Sequence, residues 1–250
     1  MDINNAYVRD AILYYTIQQY FNCNDKRTCQ FIAQLDHFNY RRGLLHNIPY
    51  LLFQLCISEK DFYNTYLRVE ESFKTLQADI VLVKKGDGIY SKLLAMIPTA
   101  PPYLFLKGNV HLLDEKSVSV VGSRNASMEA MEKTEKLVKA LVKRNIVVNA
   151  GLAKGIDTIT HQTALKNNGR TIAVIGTPIN QYYPKENKNL QLTIEKHGLV
   201  VSQFPPCNKV YKWNFPTRNA TMSGISIATI IMEAGEKSGA LRQADHCIKQ

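Results

Sequence analysis

Five short apolar runs punctuate the second half of the chain, at residues 118–121, 146–149, 171–175, 199–202 and 227–232. Each is rich in Val and Ile and too short for a helix, which suits a buried strand. Between the first two runs the pattern changes to helical spacing. Met131, Val138 and Leu141 share one face with Leu137 and Val142 beside them, and Glu132, Lys136, Lys139 and Lys143 share the other. Glu129 and Glu132 open that helix and Lys143-Arg144 close it, the order that the helix dipole favours. Helical segments also follow the second run (157–168) and the third (from Pro184 to about residue 196). Strands alternating with helices predict a parallel α/β sheet, Rossmann-like, with helices on both faces.

The first 77 residues read differently. Segments 6–21, 26–37, 42–55 and 59–76 carry apolar positions at three- and four-residue spacing, and Asn22-Cys23-Asn24, Asn39, Pro49 and Ser58 separate them. They predict a small all-helical, SAM-like domain with an aromatic core. Residues 78–116 form a joining segment with a strand at about 80–83. A second apolar piece, 103–106, is expected at the edge of the main sheet. Residues 117–250 form the Rossmann-like domain.

Glycines follow the predicted strands. Gly122-Ser123-Arg124 succeeds the first, Gly151-Leu152-Ala153-Lys154-Gly155 the second, and Lys237-Ser238-Gly239 lies beyond the fifth. In a parallel sheet these turns meet at the edge beyond the strands' carboxyl ends, where doubly wound folds bind ligands. Glycine permits close approach of backbone to a phosphate, and helix N-termini attract anions. The plain alternative is that glycine only permits a tight turn. Two basic turns at one edge, carrying Arg124 and Lys154, favour a surface for several phosphates. Lys185, Asn187, Arg218 and Asn219 stand in the following loops and extend the set. Tyr183, Trp213 and Phe215 lie beside them as candidates for stacking on bases, with Tyr182 adjoining.

The net charge of +10 fits a polyanionic partner. Five scattered cysteines without a CxxC pair argue against zinc and for a reducing compartment. No apolar stretch approaches the length of a membrane span and the N-terminus has no signal-peptide character, so a cytoplasmic location without a membrane partner is expected. Asp157 and His161 are read as a cap and a locally bonded histidine, since two ligands without a third make a poor metal site. No cofactor or metal is expected.

Seven pieces occur in an order that resembles the DNA-processing protein A (DprA/Smf) family. They are Tyr103 to Gly108, Val120 to Arg124, Ala150 to Asp157 with His161, Thr171 to Gly176, Tyr183-Pro184-Lys185-Glu186-Asn187, Phe215 to Asn219 with Ser223-Gly224, and Glu233 to Gly239. The resemblance covers about residues 90–241. It implies a non-catalytic single-stranded DNA-binding protein that forms a homodimer and helps load the recombinase RecA in natural transformation. The chain departs from the family pattern at Lys154 and Gln203, where Arg and Glu are usual, and at Gly176-Thr177-Pro178.

Two other readings compete. A nucleotide-phosphate hydrolase on a related scaffold would use Glu233 and Arg218, but the expected Pro-Gly-Gly-x-Gly-Thr turn is missing near the fifth strand. A nicotinamide-dependent oxidoreductase lacks its Gly-x-Gly-x-x-Gly.

Overall fold

The computed structural model describes residues 1–33 and 48–235. The expectations for residues 34–47 and for Ser238 and Gly239 therefore fall outside the described residues. Contacts divide the chain into one unit of Met1–Asp79 with Pro205–Asn208, and a second holding Ile80–Phe204 and the chain from Lys209 onward.

The first unit is helical: α1 (Ala6–Gln19), α2 (Asp25–Ala33), α3 (Ile48–Leu55) and α4 (Glu59–Lys74). Asn5 caps α1, and Ser58 caps α4 by accepting from the Asp61 N–H. Asn22 and Cys23 take left-handed backbone at the turn between α1 and α2. The aromatic core expected from the spacing holds in part: Tyr14, Tyr15, Phe62 and Phe73 are buried and Tyr15 packs on Phe73 at 6.1 Å, whereas Tyr20, Phe21 and Phe31 are half-buried and Phe53 is exposed.

The second unit is α/β. Its elements are β1 (Ile80–Lys84), α5 (Lys92–Ala95), β2 (Tyr103–Gly108), β3 (Ser117–Val121), α6 (Met128–Lys143), β4 (Val147–Ala150), α7 (Ile156–Lys166), β5 (Thr171–Ile175), α8 (Lys188–His197), β6 (Leu199–Ser202), α9 (Asn214–Gly224) and β7 (Ala228–Ile231). Among the described residues they build one seven-stranded sheet in the order β1-β2-β6-β5-β4-β3-β7. The five strands from β6 to β7 run parallel, while β2 pairs antiparallel with both β1 and β6. The Rossmann-like, mostly parallel sheet follows the sequence pattern. Residues 103–106 do not form the edge: β1 lies outside them, so every residue from Tyr103 to Leu106 is buried.

Helices cover both faces. Val147 packs in a cluster with Leu94 of α5, Met222 of α9 and Ile225 just after it, whereas Val148 packs with Val138, Leu141 and Ala164 of α6 and α7. Neighbouring strand residues point to opposite faces, so two cores sandwich the sheet. Strands buried on both faces explain why the apolar runs do not alternate strictly with polar residues. Each such Val or Ile contributes roughly 1.5–3 kcal/mol by burial, well above the ~0–1 kcal/mol of an exposed ion pair such as Lys133–Glu129.

From β3 the chain steps through β4 and β5 to β6, and α9 then returns it to place β7 on the far side of β3. The sheet therefore has its switch point between β3 and β7, and the turns after β3, β4 and β5 share one edge. Two of these turns touch. The Ile156 N–H donates to the Ser123 carbonyl at 3.2 Å, and Gly155, at φ +73°, presses against the same segment. A Cβ on Gly155 would stand 2.3 Å from the Ser123 oxygen. Gly155→Ala is expected to cost about 1–3 kcal/mol in a urea unfolding titration, from left-handed backbone and lost space together. An unchanged midpoint would contradict this packing.

Candidate functional site

The carboxyl-end edge holds a pocket of about 450 Å³, part of it open to solvent. Its walls come from four segments. Arg124 stands in the turn after β3, and Gly151, Ala153 and Lys154 in the turn after β4. Gly176, Tyr183 and Pro184 follow β5, and Phe215 and Arg218 lie on α9. The structure thus brings together Arg124, Lys154, Arg218, Tyr183 and Phe215, which lie far apart in sequence.

Arg218 plays a different part from the one its charge suggested. It was expected as a phosphate contact in a loop, but it lies within α9 and is only 5% exposed. Its Nη1 donates to the Gly151 carbonyl at 2.6 Å and also to the Val174 carbonyl, and its Nε donates to Asn219 Oδ1 at 3.2 Å. The guanidinium therefore ties the end of β4 to β5 from beneath the pocket. Asp157 completes the arrangement, because its Oδ2 accepts from the N–H groups of Gly151 and Ala153 at 3.0 and 3.2 Å. Burial pulls the Arg218 pKa down to about 10, with the Asp157 charge opposing, so it stays cationic at neutral pH. Burial pushes the Asp157 carboxyl up, and the Arg218 charge and the two N–H groups work against that rise.

The glycines also serve the protein's own packing. A Cβ on Gly151 would stand 2.4 Å from the Arg218 guanidinium, one on Gly122 2.6 Å from the Ile156 side chain, and one on Gly176 2.6 Å from the Phe215 ring. At Gly122, Gly151 and Gly155 the atoms that a side chain would meet belong to the protein itself. Asn187 is likewise spent internally. It is buried, and its Nδ2 donates to the carbonyls of Leu152 and Ala153 and to Thr158 Oγ1. Asn187 therefore pins the turn that carries Lys154. Asn219 accepts from Arg218, and Ser123 Oγ caps Asn125 N–H at 3.1 Å.

What remains open to a ligand is the rim. Arg124, Lys154 and Lys185 are exposed, although Lys185 itself does not line the pocket and follows Pro184, which does. Lys154 is paired with Glu186 at 2.7 Å. Phe215 forms one wall and meets Tyr183, itself 50% exposed, at 5.2 Å. Trp213 sits beside the pocket rather than in it. Its ring stacks on Tyr211 at 5.5 Å and 10°, meets Phe204 edge-on, and stays 41% exposed. Gln203 also stays out of the pocket, buried and accepting from Thr221 Oγ1.

The residues named for hydrolysis are both engaged elsewhere. Glu233 Oε2 accepts from the Ser127 N–H at 3.0 Å, placing a carboxylate at the N-terminus of α6. That is where a Rossmann-type domain would hold a nucleotide phosphate. Arg218 is committed beneath the pocket as described. His161 bonds Thr171 Oγ1 through Nδ1 at 2.7 Å, and its Nε2 is a buried atom without a hydrogen-bond partner. Among the described residues no group of three or more His, Cys, Asp or Glu gathers to hold a metal.

Two outcomes follow from the buried groups. Arg218→Met should lower unfolding free energy by about 3–5 kcal/mol, since Asp157 loses its countercharge and two carbonyls lose a donor. The exposed Arg124→Ala should stay within about 0.5 kcal/mol of the parent protein. Equal effects at the two positions would contradict their assignment to floor and rim. Burial, together with the Arg218 charge, pulls the His161 imidazole from 6.5 down to about 3, so folding favours the neutral ring. Its stabilisation is full above about pH 6.5 and is lost as pH falls toward about 3. The stability gap between the parent and His161→Gln should therefore narrow below pH 6.5, by up to about 1.4 kcal/mol per pH unit. A gap constant across pH would contradict a neutral, buried ring.

Comparison with known proteins places this site in a family. Residues 81–250 match the model for DNA recombination-mediator protein A. The DNA processing protein DprA of Streptococcus pneumoniae is 42% identical over 164 residues, covering 66% of this chain and 58% of that protein. DprA of Bacillus subtilis is 36% identical over 192 residues, covering 76% and 64%. The chain thus spans less than two thirds of the length of these curated relatives. Among solved structures, S. pneumoniae DprA superposes with a TM-score of 0.68 at 38% identity, over 75% of this chain and 66% of that one. DNA processing protein A of Helicobacter pylori, solved for its single-stranded DNA binding mode, superposes with a TM-score of 0.60 at 26% identity, over 68% and 76%. With the family model spanning the sheet and every wall of the pocket, the chain belongs to the DNA recombination-mediator protein A family.

Proposed function

We propose that the chain binds single-stranded DNA across the pocket and its rim without altering it chemically, and serves DNA processing and recombination. One observation carries this reading. Arg124 and Lys154 come from different turns yet open onto the same pocket as Tyr183 and Phe215. Cations beside exposed aromatic faces suit an unpaired strand, which presents regular phosphates and unstacked bases. The relation to H. pylori DNA processing protein A, described by its single-stranded DNA binding, supports the same ligand class. The net charge of +10 favours encounter with any nucleic acid, while the aromatic walls add the preference for single strands.

The engagement of the titratable groups supports a non-catalytic role. Asp157 and Arg218 hold the floor, Glu233 caps α6, and His161 is buried and neutral. The finer parts of the proposal rest on the family alone: protection of incoming DNA, assistance to RecA in natural transformation, homodimer formation and a cytoplasmic location. No helix among the described residues is long and apolar enough to cross a membrane.

Oligo-dT titrations test the reading. Arg124→Ala and Phe215→Ala should each weaken binding, Phe215→Ala by about 1–3 kcal/mol if a base stacks there. Affinity should fall steeply with salt, with a log–log slope near −0.7 per phosphate neutralised. A flat salt response, or equal affinity for duplex and single strand, would contradict it.

A further inference from the structure

Lys154 is not a free cation. Its ammonium donates to Glu186 Oε1 at 2.7 Å, across a sequence separation of 32 residues. Glu186 lies in the short turn before α8 and Lys154 in the turn after β4, so the pair bridges two segments at the pocket's mouth. Both side chains are more than half exposed, at 55% and 64%. The carboxylate is therefore displaceable rather than built into the fold. Neither turn needs the pair for its shape. The Lys154 turn is already fixed by Asp157 from below and by Asn187 from the side.

We propose that Glu186 is a specificity-determining residue, an internal competitor that occupies Lys154 until a ligand held at other points displaces it. The inference rests on the proposed single-stranded DNA binding and says how that same site rejects lone anions. A carboxylate tethered by the chain meets Lys154 at an effective concentration of order millimolar. A free phosphate or mononucleotide must match that concentration from solution to take the seat. A strand need not, because contacts at Arg124 and on Phe215 deliver its next phosphate to Lys154 as another tethered group. The strand can also bind first at those contacts with the ion pair still closed. Glu186 thus penalises a single phosphate fully and a polyphosphate strand only in part. A second carboxylate acts in the same sense nearby, with Glu233 seated on the α6 N-terminus.

The test is a double-mutant cycle on the whole chain, using the parent protein, Glu186→Gln, Lys154→Met and the double variant. Fluorescent oligo-dT is titrated at two ionic strengths, with inorganic phosphate as the competing lone anion. Glu186→Gln should tighten oligo-dT by about two- to five-fold, the worth of an exposed pair. It should also steepen the salt slope by up to about 0.7. Inorganic phosphate should compete at lower concentration in Glu186→Gln than in the parent. The gain should vanish in the double variant, whose affinity should equal that of Lys154→Met. Unchanged oligo-dT affinity in Glu186→Gln would overturn the inference. So would a gain of equal size without Lys154, which would reduce Glu186 to a general repulsive charge. A parent protein that fails to bind oligo-dT would sink the underlying reading and the inference together. Binding by the parent that is weakened by Arg124→Ala, with no effect at Glu186, would sink the inference alone.

Discussion

A single buried guanidinium sets the geometry of this edge of the sheet. Arg218 reaches from α9 to the carbonyls ending β4 and β5, and Gly151 has no side chain where the guanidinium lies. Asp157 holds the other side of Gly151 through its N–H. A buried charge needs hydrogen bonds and a countercharge, and here backbone carbonyls take the guanidinium's protons while the Asp157 charge acts on it from the other side of Gly151. Fixing the turn after β4 in this way also fixes Lys154, and the contact of Gly155 with the Ser123 carbonyl carries the constraint to the turn that holds Arg124. The exposed cations stand on a floor made by a cation they do not resemble in exposure or in role.

The fold was largely legible because its signal is redundant. Strands buried on both faces must be mostly apolar, and β3, β4, β5 and β6 are buried at every position with only Ser117, Ser119, Asn149, Thr171 and Ser202 polar. The switch from that pattern to helical spacing in α6 follows from which residues a helix can bury. The start of α9 was not legible. Phe215-Pro216 reads as loop, yet proline within the first turn of a helix gives up only an N–H that has no intrahelical partner. The misplaced boundary put Arg218 in a loop and so among the phosphate contacts. The edge position given to 103–106 failed for a related reason. The pattern shows that a strand is apolar but not which strand lies outside it, and β1 is apolar in four of its five residues although only partly buried.

Within the site, residue type was a good guide to location and a poor one to exposure. Arg124, Lys154, Tyr183 and Phe215 do meet at one pocket. Which of the basic residues faces solvent depends on long-range packing that no local spacing encodes. The pairing of Lys154 with Glu186 and the reach of Glu233 to Ser127 likewise join positions far apart in the chain. The glycines carried a signal that was read too narrowly. Close approach was required at Gly122, Gly151 and Gly176, but the approaching atoms are Ile156, Arg218 and Phe215. Glycine reports that something comes near and leaves open whether that is ligand or protein.

The proposed binding lays an unpaired strand over this one rim, with cations on its phosphates and Phe215 against a base. Photo-crosslinking with an oligonucleotide carrying 5-iododeoxyuridine, followed by peptide mapping, tests it most directly. Adducts are expected on the peptides holding Tyr183 and Phe215, lost when unlabelled oligo-dT competes. Adducts confined to the helical unit of Met1–Asp79, or spread over the surface without competition, would contradict it.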